Sequence, residues 1–197
     1  MKVTMPLRAT AAAAVLALGL AACGGGSSED EPTSGSGEPT GSPGGSYVGE
    51  ITEPSFLAPT SNCYESECSQ VLDMINDPLV TTDFESGELI FDGLAESIEP
   101  NEDQTVWTVT LKEGRTFQNG EPVDAESFER AWTYTADPKN AAETAGFLAR
   151  VEGAGEGKQL TGFKVVDDQT FEVTLNGPFS QFGQQMSYAP AFAPMAQ

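Results

Sequence analysis

Hydrophobic and polar positions alternate most cleanly in two short stretches of this chain. Trp107, Val109 and Leu111 alternate with Thr108, Thr110 and Lys112. That is the period-2 pattern of a strand with one buried face. Phe171, Val173 and Leu175 alternate with Thr170, Glu172 and Thr174 in the same way, and with residues 163–166 they predict a hairpin about Asp167-Asp168. Between the two stretches the period changes. Glu113-Gly114 and Asn119-Gly120 are turn dipeptides whose glycines accept positive φ. Asp124 then stands where a helix N-cap belongs, and Phe128 and Trp132 follow at i, i+4 on one face. Trp107, Phe128 and Trp132 are read as core.

The remaining elements are weaker. Residues 47–52 read as a short strand. Residues 69–76 read as a helix that buries Val71, Leu72 and Ile75 and is closed by Pro78. Residues 79–82 and 89–91 flank a Glu85-Ser86-Gly87 turn. Residues 140–150 read as a second helix with Ala145 and Leu148 inward, 153–162 as a loop, and Pro178 as the opening of a last helical segment reaching about Tyr188. There are no internal repeats. The order is mixed α+β.

The N-terminus changes the picture. Lys2 and Arg8 make a short positive region, and residues 9–20 are apolar but too few to span a bilayer. Leu20-Ala21-Ala22-Cys23-Gly24 looks like a bacterial lipobox. Residues 1–22 are therefore expected to be a lipoprotein signal peptide and Cys23 the acylated residue. At about 0.8 kcal/mol per buried methylene, two or three acyl chains anchor stably in a bilayer where one does not. Residues 23–46 are almost wholly Gly, Ser, Glu, Pro and Thr. With nothing to bury they predict a disordered tether, with an r.m.s. span of roughly 25 Å for a Gly/Ser-like chain of that length. Residues 47–197 remain as the folded part, enough for one core.

The formal net charge is −21, and loss of Lys2 and Arg8 with no acid takes it to −23. So acidic a surface excludes nucleic acid and adhesion to anionic lipid as partners. It serves colloidal solubility, with cationic substrates as the alternative. Outside the membrane Cys63 and Cys68 are expected to pair as a structural disulfide. A loop so short stabilises by roughly 2 kcal/mol in the chain-entropy picture. Two thiolates without other ligands make a poor metal site, and a redox pair has the closer C-x-x-C spacing. No cofactor or metal is implied. The chain contains no histidine, which removes Ser-His and Cys-His nucleophile pairs within it. No G-x-S-x-G elbow occurs. Carboxylate pairs such as Glu96 with Glu99 are expected by chance in so acidic a chain. The run Gly153-Ala154-Gly155-Glu156-Gly157-Lys158 lacks the Walker A spacing and reads as a surface loop.

Five segments in order carry a family resemblance: Pro54 to Pro59, Ile75-Asn76-Asp77-Pro78-Leu79-Val80, Leu94-Ala95-Glu96-Ser97, the block from Trp107 to Asp137, and the Asp167-Asp168 hairpin with Pro178-Phe179 after it. The block reads WTVTLKEGRTFQNGEPVDAESFERAWTYTAD. Together they resemble the extracellular solute-binding proteins of peptide and nickel ABC importers. Leu57-Ala58-Pro59 departs from the Leu-Asp-Pro-like turn of that family and lacks its Asp.

The resemblance implies the N-terminal part of a two-lobed periplasmic-binding-protein-like fold, comprising the start of lobe I and its extra subdomain. It implies no enzyme. It implies a binding protein that closes on a peptide or other small solute and docks on an ABC permease, here held at the outer face of the cytoplasmic membrane by Cys23. In peptide binders the loop before the first helix touches ligand. It corresponds to Asn62, Cys63 and Tyr64, with the disulfide stiffening it. A second contact falls near residues 144–147, giving Thr144 as a candidate and Phe147 as core. Members of the family are two to three times longer, so the chain is expected to be a fragment without lobe II. A cell-surface interaction module without a small-molecule cleft is the alternative, and a secreted hydrolase is third.

Overall fold

The computed structural model describes residues 48–54, 65–157 and 159–197. Val48–Gln197 forms one compact unit and is described by itself. The expectations on the signal peptide, Cys23, the tether, residues 57–59, Asn62, Cys63, Tyr64 and Lys158 lie outside the described residues.

The alternating stretch at Trp107 forms β4, Val106–Leu111, with Trp107, Val109 and Leu111 buried. It pairs antiparallel with β3, Ala95–Pro100, on one side and with β6, Thr170–Thr174, on the other. The outer strand β5, Phe163–Asp167, pairs with β6 about the expected Asp167-Asp168 turn. The sheet order is β3-β4-β6-β5. Phe171 and Val173 are buried on the same face as the β4 residues, while Thr170, Glu172 and Thr174 are half-exposed opposite. The sheet thus has one core face and one wet face.

One helix covers the core face. Its start, α2 at Ala125–Ala136, is set by a reciprocal capping box. The Asp124 carboxylate accepts from the Ser127 amide at 2.8 Å, and the Asp124 amide donates to Ser127 Oγ at 3.2 Å. The turns before it are those the dipeptides require, with Gly114 at φ 74° and Gly120 at φ 88°. Phe128 and Trp132 are fully buried. Phe128 stacks on Phe171 at 5.4 Å, and Trp132 meets Phe163 and Phe171 edge-on at 5.3 and 5.6 Å. An aromatic cluster between helix and sheet is therefore the centre of the core, and each such pair adds about 0.5–1.5 kcal/mol beyond its buried area.

A two-stranded hairpin, β1 at Thr81–Thr82 and β2 at Leu89–Ile90, precedes the sheet and surrounds the expected turn. Leu94 and Ala95 donate their amides to the carbonyls of Pro78 and Leu79, both at 2.8 Å, and this ties β3 to the segment before the hairpin.

Four local expectations are corrected, and one strand was missed. Residues 48–52 form no strand; Val48 is 91% exposed and Ile51 44%, and no strand among the described residues pairs with them. The first helix, α1, starts earlier, at Ser66–Ile75, so its buried pair is Cys68 and Leu72, while Ile75 at the far end is 54% exposed. Residues 140–150 are not an α-helix but two 3-10 turns, Pro138–Asn140 and Glu143–Leu148. Ala141 between them adopts a left-handed φ of 46°, which stops helix propagation. The segment after Pro178 breaks into α3, Phe182–Gln185, and α4, Ala189–Phe192. The backbone leaves the helical region at Tyr188, the expected end, and α4 lies beyond it with Pro190 in its first turn, where the missing amide removes no helical bond. Strand β3 was not expected, because its burial pattern does not alternate cleanly: a register shift falls between Ala95 and Ser97.

Candidate functional site

The sequence-derived contacts fall at two places. Asn62, Cys63 and Tyr64 precede α1 and lie outside the described residues. Thr144 sits in the first turn of Glu143–Leu148 and is fully buried, so its side chain offers no surface to a ligand in this unit. Phe147, three residues on, packs against the core as expected, and it is half-exposed. Its ring stacks on that of Tyr188 at 4.8 Å, and Phe192 meets it edge-on at 6.3 Å. The structure does not bring Thr144 to an open surface. It brings Phe147 and Tyr188 together as a partly exposed aromatic face where the 3-10 turn meets α4.

A second feature was not read from the sequence. A shallow depression of 480 Å³ lies between the hairpin turn and the start of α3, lined by Gly87, Phe179, Gln181, Gln184 and Gln185. The local pattern explains it. Phe182 and Gly183 are buried, while Gln181 and Gln184 remain exposed and Gln185 half-exposed. Gly183 is held close: a Cβ there would stand 3.0 Å from the Trp107 ring and 3.2 Å from Leu89. The Arg150 guanidinium lies 4.4 Å from the Phe179 ring centroid, a cation–π arrangement that orients the ring at the rim. The visible signal was the amide run Gln181, Gln184 and Gln185 around two small or apolar inward positions.

The lining has amide donors and acceptors, an aromatic face and no titratable group, so it suits hydrogen-bonded recognition and offers no acid–base chemistry. The other candidates for chemistry do not assemble. Glu96 and Glu99 are both exposed on β3. In the glycine-rich loop the amides of Ala154, Gly155 and Glu156 are already bonded to Val151, Ala136 and Gly153 carbonyls, so these three are not free to cradle a phosphate. Asp83 is held below its usual carboxylate range by the Ser86 amide, the Ser86 hydroxyl and the Glu85 amide. Those bonds, at 2.7, 2.9 and 3.0 Å, close the hairpin turn. No group of three or more His, Cys, Asp or Glu among the described residues is placed to hold a metal ion.

The described residues thus form a one-faced α+β unit with a polar depression. The model of the family described as bacterial extracellular solute-binding proteins, family 5 Middle, matches residues 90–197. The chain belongs to that family. The oligopeptide-binding protein OppA of Bacillus subtilis is 34% identical over 103 residues, which are 49% of this chain and 19% of that protein. The periplasmic oligopeptide-binding protein OppA of Salmonella typhimurium is 35% identical over 131 residues, 59% of this chain and 24% of that one. Among solved structures, Haemophilus influenzae OppA in complex with the peptide RPPGFSPFR superposes with a TM-score of 0.59 at 32% identity, over 66% of this chain and 26% of that one. The Escherichia coli murein tripeptide-binding protein MppA gives a TM-score of 0.64 at 26% identity, over 73% and 29%. The fold is thus that of part of a periplasmic binding protein. The chain spans about a fifth to a quarter of the length of the curated relatives it matches.

Proposed function

We propose that this chain belongs to the substrate-binding component of an ABC importer, that it takes peptides, and that it passes them to a membrane permease. The observation that carries the reading is the match over residues 90–197, together with relatives whose names are those of peptide-binding proteins. The absence of histidine and the polar, non-titratable depression support binding rather than turnover. Specific binding is a closure of two lobes whose equilibrium the ligand shifts.

The same reading assigns the anchor and the loop. Residues 1–22 are the signal peptide, acylated Cys23 holds the protein in the bilayer at the outer face of the cytoplasmic membrane, and 23–46 is the tether. Asn62 and Tyr64 supply a polar and an aromatic contact to the peptide, and Cys63 stiffens the loop by pairing with Cys68. Cys68 supports that pairing: it is fully buried on α1 and disulfide-bonded.

The test is calorimetric titration of oligopeptide mixtures into the protein extracted from source-cell membranes. Saturable binding at micromolar peptide is expected. No binding, with stable capture of a protein partner on the same sample, refutes the importer reading in favour of an interaction module. Separately, Cys23→Ala is expected to release the protein from the membrane fraction; retention in that fraction refutes the lipid anchor.

A further inference from the structure

The chain contains two Asn-Gly dipeptides, Asn119-Gly120 and Asn176-Gly177, and the fold treats them oppositely. Asn119-Gly120 is held at the tip of a tight turn. The Gly120 amide donates to the Phe117 carbonyl at 2.9 Å, and Asn119 Oδ1 accepts from the Glu121 amide at 3.0 Å. Phe117 in turn donates to Glu121 at 2.8 Å, closing the turn on both sides. Asn176-Gly177 follows the last buried residue of the β6 run. The Asn176 amide is bonded to Arg150 at 2.8 Å, but among the described residues neither its side-chain amide nor the Gly177 amide has a hydrogen-bond partner. The Asn176 side chain is exposed.

We propose that Asn176 is a spontaneous deamidation site of the folded protein, and that Asn119, the same dipeptide, is protected by its turn. The Gly177 backbone nitrogen gives its proton to solvent base and bonds to Asn176 Cγ. The Cγ–Nδ2 bond breaks and ammonia leaves with a proton. Water then opens the succinimide at either carbonyl, giving aspartate or isoaspartate. Glycine favours the step because no Cβ shields the attacking nitrogen. At Asn119 the same attack must first break the Gly120 hydrogen bond and free the Asn119 carbonyl. Each net hydrogen bond slows the step by about 2- to 10-fold, so about tenfold separates the sites.

Conversion adds one negative charge to an already acidic chain. Its isoaspartate form inserts a methylene into the backbone between Leu175, bonded to the Thr105 carbonyl at 2.8 Å, and Phe179, bonded to that of Gln104 at 3.0 Å. Phe179 lines the depression, so ageing at Asn176 acts on the depression wall.

The experiment is peptide mapping by mass spectrometry of the purified protein held at mildly alkaline pH, folded and in urea. Conversion at Asn176 about tenfold faster than at Asn119 when folded is expected, with the ratio collapsing in urea. Equal rates when folded, no conversion at Asn176, or a ratio that survives urea overturns the proposal. Gly177→Ala serves as a second arm, because a Cβ there meets nothing within 4 Å and the position has no left-handed φ. It is expected to slow Asn176 severalfold while leaving Asn119 unchanged, and an undiminished Asn176 rate also overturns the succinimide route.

Discussion

Trp107→Phe and Trp132→Phe remove the same indole-to-phenyl volume from one continuous core. The local cavity costs are therefore alike to first order and cancel in the comparison. The N–H does not cancel. Trp132 Nε1 donates to the Phe192 carbonyl at 3.3 Å. Trp107 Nε1 is buried with no partner among the described residues. Trp132→Phe loses a bond of about 1 kcal/mol and strands a carbonyl at about 1–3 kcal/mol. Trp107→Phe instead removes a buried unpaired donor, a relief of about 1–3 kcal/mol. The two variants should thus differ by at least about 2 kcal/mol, with Trp132→Phe the more costly. That difference is a sizeable part of the 5–15 kcal/mol expected of a domain. The assay is urea unfolding followed by far-ultraviolet circular dichroism, since each variant deletes one of only two tryptophans and makes fluorescence incomparable. Midpoints are converted with a shared slope. Equal destabilisation, or a larger effect at Trp107, refutes the claim that the two indole N–H groups differ in hydrogen bonding.

Asp124→Ala should cost about 1 kcal/mol in the same assay, while Asp124→Asn, which keeps an acceptor for the Ser127 amide, should cost little. Gly93→Ala should destabilise by about 3 kcal/mol, since its Cβ would stand 2.1 Å from the Pro78 carbonyl oxygen; wild-type stability in that variant would refute the close approach. Gly146→Ala, where a Cβ meets nothing within 4 Å, should be neutral or stabilising by about 0.4–1 kcal/mol. Asp83 has its folded value depressed below 3.8 by the Ser86 and Glu85 bonds. Its contribution to the hairpin is therefore present above that pH and is lost as pH falls through the folded value. A carboxyl-carbon NMR titration should place its midpoint below the ordinary aspartate value of 3.8, and a midpoint at or above that value would refute the turn bonds.

The parts of the fold legible in the sequence are those where a local signal and a tertiary contact agree. The Trp107 alternation became β4 because its inward residues are buried in one core with the α2 aromatics and Phe182, and Asp124 became a cap because the buried Ser127 returned the bond. The misreadings arose where tertiary context decides. Val48 and Ile51 look like strand residues, but no partner strand among the described residues reaches them. Residues 140–150 have helical composition, but the left-handed Ala141 follows Pro138–Asn140 and interrupts it. The segment from Pro178 to about Tyr188 reads as one helix, but within it only Phe182–Gln185 is helical. The site divides the same way. Thr144 was placed by resemblance, and the packing around it, invisible in the sequence, buries it. The glutamine-lined depression depends on how closely the β1–β2 turn approaches α3, a distance no periodicity encodes. Among the described residues the large exposed apolar side chains concentrate before Leu94, at Val48, Ile51, Met74, Ile75, Phe84, Ile90 and Phe91, while after it only Tyr134 and Val166 are comparable. A core that closes cleanly around the sheet and α2 thus adjoins elements with apolar faces still open to solvent.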